Sequence, residues 1–133
     1  LMVTWQDSLS TSDERTDSQH KVLIEQFNQL EEIMNTSTPG SFRQAAGEVL
    51  DFLQFYAAWH FEEEEKLMAG LNCAYADENK KQHAEFLAMF SDFYSRWQTS
   101  KMTPDLARST YKVMSDWIVN HIVQVDVHIK DCH

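Results

Sequence analysis

The chain has 133 residues, the size of one domain, and 43% of them are apolar, which argues against a disordered chain. Asp and Glu total 21 against 11 Lys and Arg, and the resulting formal net charge of −10 disfavours nucleic acid and anionic membranes as partners. The sequence has no apolar run of the ~18 residues that a membrane span needs and no recognisable signal peptide, so we expect a cytoplasmic protein.

Four segments with a helical spacing of apolar residues predict four α-helices. We place them over 17–36, 41–69, 78–99 and 104–130. The expected helix starts are Asp17 or Thr16 for the first helix, a Ser41–Gln44 capping box for the second, Asp77 for the third and Thr103-Pro104-Asp105 for the fourth.

No segment alternates with period two, so strands are not expected. Four helices with short connections predict an all-α, up-down-up-down four-helix bundle. We expect the first fifteen residues, with Trp5 and Leu9, to form an N-terminal arm across it. Residues 1–133 are interpreted as a single domain, and the abrupt end at His133 suggests the N-terminal part of a longer chain.

Each predicted helix carries a metal-ligating side chain on its apolar face, and the up-and-down order brings these side chains to the same end of the bundle. The six candidates are His20, His60, Glu64, His83, His121 and Asp126. Burying so many titratable groups together is costly unless a metal compensates them. Imidazole with carboxylate suits iron, manganese or zinc, and two bridging carboxylates suit a pair of ions. His121 and Asp126 need a local distortion of their helix to point inward together.

Five stretches of the sequence, in order and over essentially its whole length, resemble the hemerythrin family. They are Trp5-Gln6-Asp7, Asp17-Ser18-Gln19-His20-Lys21, His60-Phe61-Glu62-Glu63-Glu64-Glu65, His83-Ala84-Glu85-Phe86, and Trp117-Ile118-Val119-Asn120-His121-Ile122 followed by Asp126. The resemblance implies a four-helix bundle that binds O2 at one of two non-heme irons. These irons share an oxo or hydroxo bridge and are held by five histidines and two carboxylates.

The resemblance also implies a role for each candidate. His20 and His60 would hold the iron with the open site, Glu64 and Asp126 would bridge, and His83 and His121 would hold the other iron. The O2 pocket would be lined by Leu23, Phe61, Trp117 and Val123, for which ordinary bundle core is an equally good interpretation.

Position 79 departs from the family pattern, because Asn79 stands where the resemblance implies a third histidine for the second iron. An amide oxygen is a weak, neutral ligand beside imidazole. Three outcomes stay open: water or hydroxide fills the position, Asn79 coordinates or holds that water, or the second iron is weakly bound or absent. The expectation is a diiron site with an additional exchangeable position, which favours a redox or O2 sensor over a carrier.

The leading hypothesis is therefore an O2- or redox-sensing domain, itself not an enzyme, that regulates a fused output domain such as a cyclic-di-GMP enzyme or a chemoreceptor. The alternatives are a stand-alone O2 or iron carrier or store, and a diiron oxidase, peroxidase or NO-reducing enzyme. Two minor expectations concern neighbouring residues. Cys73 and Cys132 are expected to be free thiols at the same end of the bundle, and a redox-responsive pair is the alternative. His128 is a weak candidate for contacting a bound ligand.

Overall fold

The computed structural model describes residues 4–36, 39–98 and 104–132. Within these ranges the chain forms four α-helices, α1 (Glu14–Thr36), α2 (Pro39–Gly70), α3 (Ala76–Gln98) and α4 (Pro104–Gln124), and two short 3₁₀ helices, Asp7–Leu9 and Asp126–Asp131. None of the described residues forms a strand. Both α1 and α3 pack against α2 and α4, so consecutive helices are neighbours and run in opposite directions. The predicted up-down-up-down bundle is confirmed.

The main core consists of apolar side chains at helical spacing on the inner faces of the four helices. Phe27 and Leu30 of α1, Leu50 of α2, Phe90 of α3 and Met114 of α4 are all buried in it. A smaller apolar cluster lies at the end of the bundle where α2 ends and α3 begins. Within the described ranges, no helix combines the length and the hydropathy that crossing a membrane requires.

The N-terminal arm is confirmed over its described part, which starts at Thr4. Leu9 is buried in the main core, and Trp5 packs against that core with the Lys21 ammonium group 4.9 Å from its ring centre. The Asp17 carboxylate secures the arm, since it accepts hydrogen bonds from the Ser10 hydroxyl at 2.6 Å and from the backbone N–H and hydroxyl of Thr11, both at 2.8 Å. Burial alone would raise the pKa of Asp17, but these hydrogen bonds lower it on balance.

Three of the predicted helix starts are wrong. The carboxylate that caps α1 belongs to Asp13, which accepts hydrogen bonds from the backbone N–H of Thr16 at 2.9 Å and from its hydroxyl at 2.6 Å. Ser41 lies inside α2, which begins at Pro39, and Asp77 is the second residue of α3. Pro104 begins α4 as predicted, whereas Thr103 lies outside the described residues.

The largest difference from the sequence prediction concerns the end of the fourth helix. Instead of continuing to residue 130, α4 ends at Gln124, and Val125 has non-helical dihedral angles (φ −122°, ψ −59°). The chain then enters the 3₁₀ helix Asp126–Asp131, which we call the C-terminal 3₁₀ helix. A 3₁₀ helix has fewer residues per turn than an α-helix, so side chains after Gln124 point in directions that a continuous α4 would not give them.

The expectation of two free thiols is also wrong. Cys73, in the turn between α2 and α3, forms a disulfide with Cys132 at the end of the C-terminal 3₁₀ helix, with a Cα–Cα distance of 5.3 Å. The two cysteines lie at the same end of the bundle, as the order of the helices predicted.

Candidate metal centre

One carboxylate, that of Glu64, lies between two pairs of histidines. Its Oε2 is 3.0 Å from Nε2 of His20 and 3.2 Å from Nε2 of His60. Its Oε1 is 3.1 Å from Nε2 of His83 and 3.8 Å from Nε2 of His121. All five side chains are buried, at most 3% exposed. Each carboxylate oxygen therefore faces a different pair of imidazole nitrogens.

Asp126 repeats this arrangement from the other side. Its Oδ2 is 3.1 Å from Nε2 of His20, and its Oδ1 is 3.0 Å from Nε2 of His121. Because α4 ends just before Asp126, the carboxylate turns inward even though it follows His121 by five residues. This is the local distortion that the sequence required. The result is two groups of four ligand-type residues that share Glu64 and Asp126 and whose ligand atoms lie within 4.8 Å of one another.

Three of the four histidines are oriented by a hydrogen bond from the outer ring nitrogen. Nδ1 of His60 lies 2.6 Å from Oε1 of Gln19, and Nδ1 of His121 lies 2.7 Å from Oε1 of Gln82. Nδ1 of His83 lies 3.1 Å from Oε2 of Glu65. Since these oxygens only accept, each Nδ1 carries a proton, and in the neutral ring the Nε2 lone pair faces inward, as a metal requires.

Sequence reasoning missed Gln19, Gln82 and Glu65 as supporting residues. Each is next to a ligand candidate in the chain but binds a histidine of a different helix, so no spacing within one helix reveals the pairing. Nδ1 of His20 is the exception among the four rings, because it is buried without a hydrogen-bond partner in the described part of the chain.

The centre gathers lone pairs and negative charge in a buried place and therefore needs positive charge. Without a metal, protons supply it. Burial alone would lower the pKa of His20 and His121, but the hydrogen bonds that these rings donate to Asp126 and Glu64 raise the pKa values to about 10 and about 9. Burial lowers the pKa of His60. Burial alone would raise the pKa of Glu64, but hydrogen bonds from the histidines hold it well below its usual range.

Asn79 is fully buried at the inner edge of the second group. When its amide nitrogen is turned towards the centre, it lies 2.9 Å from Nε2 of both His83 and His121, 3.0 Å from Glu64 Oε1 and 3.2 Å from Asp126 Oδ1. An amide in this orientation donates to surrounding acceptors, and the opposite orientation presents its oxygen to the same place. The side chain therefore reaches the four atoms of the second group directly.

The predicted pocket residues divide into two sets. Leu23 is buried, Phe61 stacks on the His83 ring with 3.9 Å between centroids, and Trp117 stacks on the His121 ring at 4.7 Å. Val123 is 48% exposed and does not line the centre, because it lies on the outer face of α4. His128 does not reach the centre either: its ring stacks on that of Tyr75, with 4.1 Å between centroids.

The sequence is similar to proteins whose family is known. Residues 11–130 match the family described as the hemerythrin HHE cation binding domain. A bacteriohemerythrin of Pseudomonas aeruginosa is 30% identical over 129 residues, which are 97% of this chain and 80% of that protein. A hemerythrin of Sipunculus nudus is 29% identical and is aligned over 95% of this chain and 89% of its own length.

A structural comparison gives the same result. The crystal structure of wild-type hemerythrin superposes with a TM-score of 0.83 at 27% sequence identity, covering 99% of this chain and 98% of that one. The chain belongs to the hemerythrin family. Proteins of this family bind non-heme iron and O2, and the buried groups of histidine and carboxylate described above provide donors that suit iron.

Proposed function

We propose that this protein is a non-heme diiron domain that senses O2 or redox state and regulates an output domain fused to it. His20 and His60 hold one iron, His83 and His121 hold the other, and the bridging positions are taken by both carboxylates and by an oxo or hydroxo group. The distances support this assignment, since each carboxylate offers one oxygen to each pair of histidines. Irons held in this way supply O2 binding and one-electron redox chemistry.

The observation that carries the sensor proposal is the position of Asn79. Ligand atoms bound octahedrally at about 2.1 Å to one small divalent ion lie about 3 Å apart. The terminal amide atom of Asn79 lies 2.9–3.2 Å from four candidate ligand atoms, so it occupies a place suited to a ligand of the second iron. Direct contact is one of the three outcomes that the sequence left open, and it requires the amide to present its oxygen rather than its nitrogen at this place. Such a neutral ligand is displaced more easily than imidazole.

The surrounding residues support access for a small ligand only. The rings of Phe61 and Trp117 cover the His83 and His121 rings, and Phe86 packs edge-on against Phe61. This apolar cover excludes bulk water while a displaceable amide keeps one position of the second iron exchangeable. Both properties suit a domain that responds to O2 or to an oxidant by changing the charge and ligation of its irons.

The test compares the wild-type protein with Asn79→His after anaerobic loading with ferrous iron. Metal analysis is expected to give two irons per chain in both, and oxidation in air, followed by absorbance, is expected to be at least tenfold slower in Asn79→His because imidazole is the stronger ligand. Exposed Asn35→His, near the end of α1, serves as the matched control and should oxidise at the wild-type rate. Equal rates for Asn79→His and the wild type, or a long-lived O2 complex in the wild type, would contradict the sensor proposal and favour reversible carriage.

A further inference from the structure

Asp126 is held by a different element from the other ligand candidates. The four histidines and Glu64 lie on long α-helices that pack into the main core, whereas Asp126 is the first residue of the six-residue C-terminal 3₁₀ helix. Short 3₁₀ helices have poor hydrogen-bond geometry and little stability of their own. The position of the Asp126 carboxylate therefore depends on whatever fastens this short helix to the rest of the bundle.

Val127 packs against the main core, and three further features fasten the C-terminal 3₁₀ helix. Val125 and Ile129 are buried against Met68 and Cys73, in the small apolar cluster outside the main core. The ring of His128 stacks on that of Tyr75. The Cys73–Cys132 disulfide is the covalent link, and it joins the far end of the 3₁₀ helix to the turn that follows α2. Cys73 and Cys132 are 59 residues apart in the sequence, so breaking this bond removes the covalent link between the end of the chain and the turn after α2.

We propose that the Cys73–Cys132 disulfide is a redox-sensitive latch that holds Asp126 between the two pairs of histidines, so that its reduction loosens the C-terminal 3₁₀ helix and speeds the loss of metal. The inference rests on the proposed diiron function for the identity of what is lost. The role of the two cysteines is to hold Asp126 in position, and neither sulfur belongs to the candidate metal centre.

The chemistry is thiol–disulfide exchange with a dithiol reductant. One reductant thiolate attacks a sulfur of the disulfide, the S–S bond breaks, and a mixed disulfide forms while the other cysteine leaves as a thiolate. The second reductant thiol then attacks the mixed disulfide and closes the oxidised reductant. Two electrons and two protons pass to the protein, which ends with two thiols. Cys132 is partly exposed and Cys73 is 8% exposed, so attack at Cys132 is expected.

The consequence for the centre follows from the position of Asp126. Its two oxygens contact His20 and His121, which belong to different groups, so movement of this one carboxylate weakens both groups at once. The histidines and Glu64 keep their positions because their helices are held by the main core. Reduction is therefore expected to affect metal retention without unfolding the bundle.

The test measures the transfer of ferrous iron to a chelator under anaerobic conditions. The oxidised wild-type protein is compared with Cys132→Ser and Cys73→Ser, and the two variants are expected to lose iron about 10-fold faster, the size of effect typical for residues that support metal ligands. Treating the wild type with a phosphine reductant should reproduce the fast rate of iron loss. This comparison does not depend on whether the variants fold. Neither variant should respond to the reductant.

Amide hydrogen exchange gives a second measurement that needs no metal. In the metal-free protein, reduction should lower the protection of 126–131 while leaving 50–60 of α2 unchanged. Leu50→Ala is the control for general destabilisation, because Leu50 is fully buried in the main core far from the disulfide. It should lower global stability without a selective loss of protection in 126–131.

The outcomes separate the latch from the function on which it rests. Iron loss at the same rate in the oxidised wild type, the reduced wild type and both variants overturns the latch. Unchanged protection of 126–131 on reduction also overturns it, whether or not iron binds. An oxidised wild type that never retains two irons per chain overturns the proposed diiron function, and the exchange measurement then decides the latch by itself.

Discussion

The side-chain oxygen of Gln82 lies 2.7 Å from Nδ1 of His121 and thereby determines which ring nitrogen of this histidine carries the proton. Replacing the amide, Gln82→Leu, leaves Nδ1 without its acceptor and frees the ring to rotate. We expect the affinity of the second group for metal to fall by about 10- to 100-fold, as is typical when such a partner is removed. Competition with a chelator of known affinity measures the effect.

Two matched variants complete this experiment. Gln19→Leu removes the equivalent partner of His60 and should weaken the first group instead. Exposed Gln29→Leu, on α1, should leave both groups unchanged. If Gln82→Leu behaves like Gln29→Leu, the hydrogen bond does not orient the ring.

Metal binding should release protons. Because the pKa values of His20 and His121 are raised to about 10 and about 9 in the metal-free protein, both rings are protonated at pH 7 and must lose a proton to bind a metal. Calorimetric titration with a divalent metal in buffers of different ionisation enthalpy is expected to show release of about two protons per chain at pH 7. The apparent affinity should rise between pH 6 and pH 9. A pH-independent affinity over this range would contradict the assignment of the protons to these rings.

The stability of the metal-free protein should fall in alkaline solution. A histidine whose pKa is raised on folding contributes stability that is complete below its unfolded-state value near 6.5 and is lost as the pH rises through the folded value. For His121 and His20 the loss is therefore expected between about pH 7 and pH 10. Urea unfolding of the metal-free protein at pH 7 and at pH 9.5 measures this difference, and His20→Gln should reduce it. A free energy of unfolding that is the same at both pH values would contradict the prediction.

Removal of the cap of α1 should lower stability without affecting the iron site directly. Asp13 accepts both hydrogen bonds from Thr16 at the start of the helix, so Asp13→Ala is expected to cost about 1 kcal/mol in the free energy of unfolding. Exposed Asp7→Ala, in the first 3₁₀ helix, is the matched control and should cost less than half as much. Equal effects of the two substitutions would show that Asp13 is not the cap.

Trp117 should control access to the second group. Its ring lies parallel to the His121 ring, at an angle of 7°, and also packs against Phe61 and Phe86. Trp117→Leu opens this cover, so azide binding to the oxidised iron-loaded protein, followed by absorbance, is expected to be several times faster. Val123→Ala changes an outward-facing side chain and should bind azide at the wild-type rate. Faster azide binding in Val123→Ala would show that the Val123 side chain does line the ligand pocket.

The sequence predicted the bundle well because its helices are long and their apolar positions recur at the helical period. Residues such as Phe27, Leu53 and Phe90 lie in the core where the periodicity put them. The sequence also predicted that the ligand candidates meet at one end, since alternating helix directions fix which helix ends are neighbours. Helix starts were less predictable. Asp13 and Asp17 are both suitable caps, and only the contacts of the arm with Asp17 show which one is used.

By itself, the sequence therefore determined the fold class and the residues that meet in the buried layer. The tertiary structure decided what depends on contacts between different helices. It turned Asp126 inward by ending α4 early, gave His60 and His121 their glutamine partners, and joined Cys73 to Cys132. The physical reason is the separation along the chain of the residues that interact. Periodicity reports the faces of single helices, whereas ring orientation, carboxylate position and disulfide pairing are set by side chains far apart in the chain.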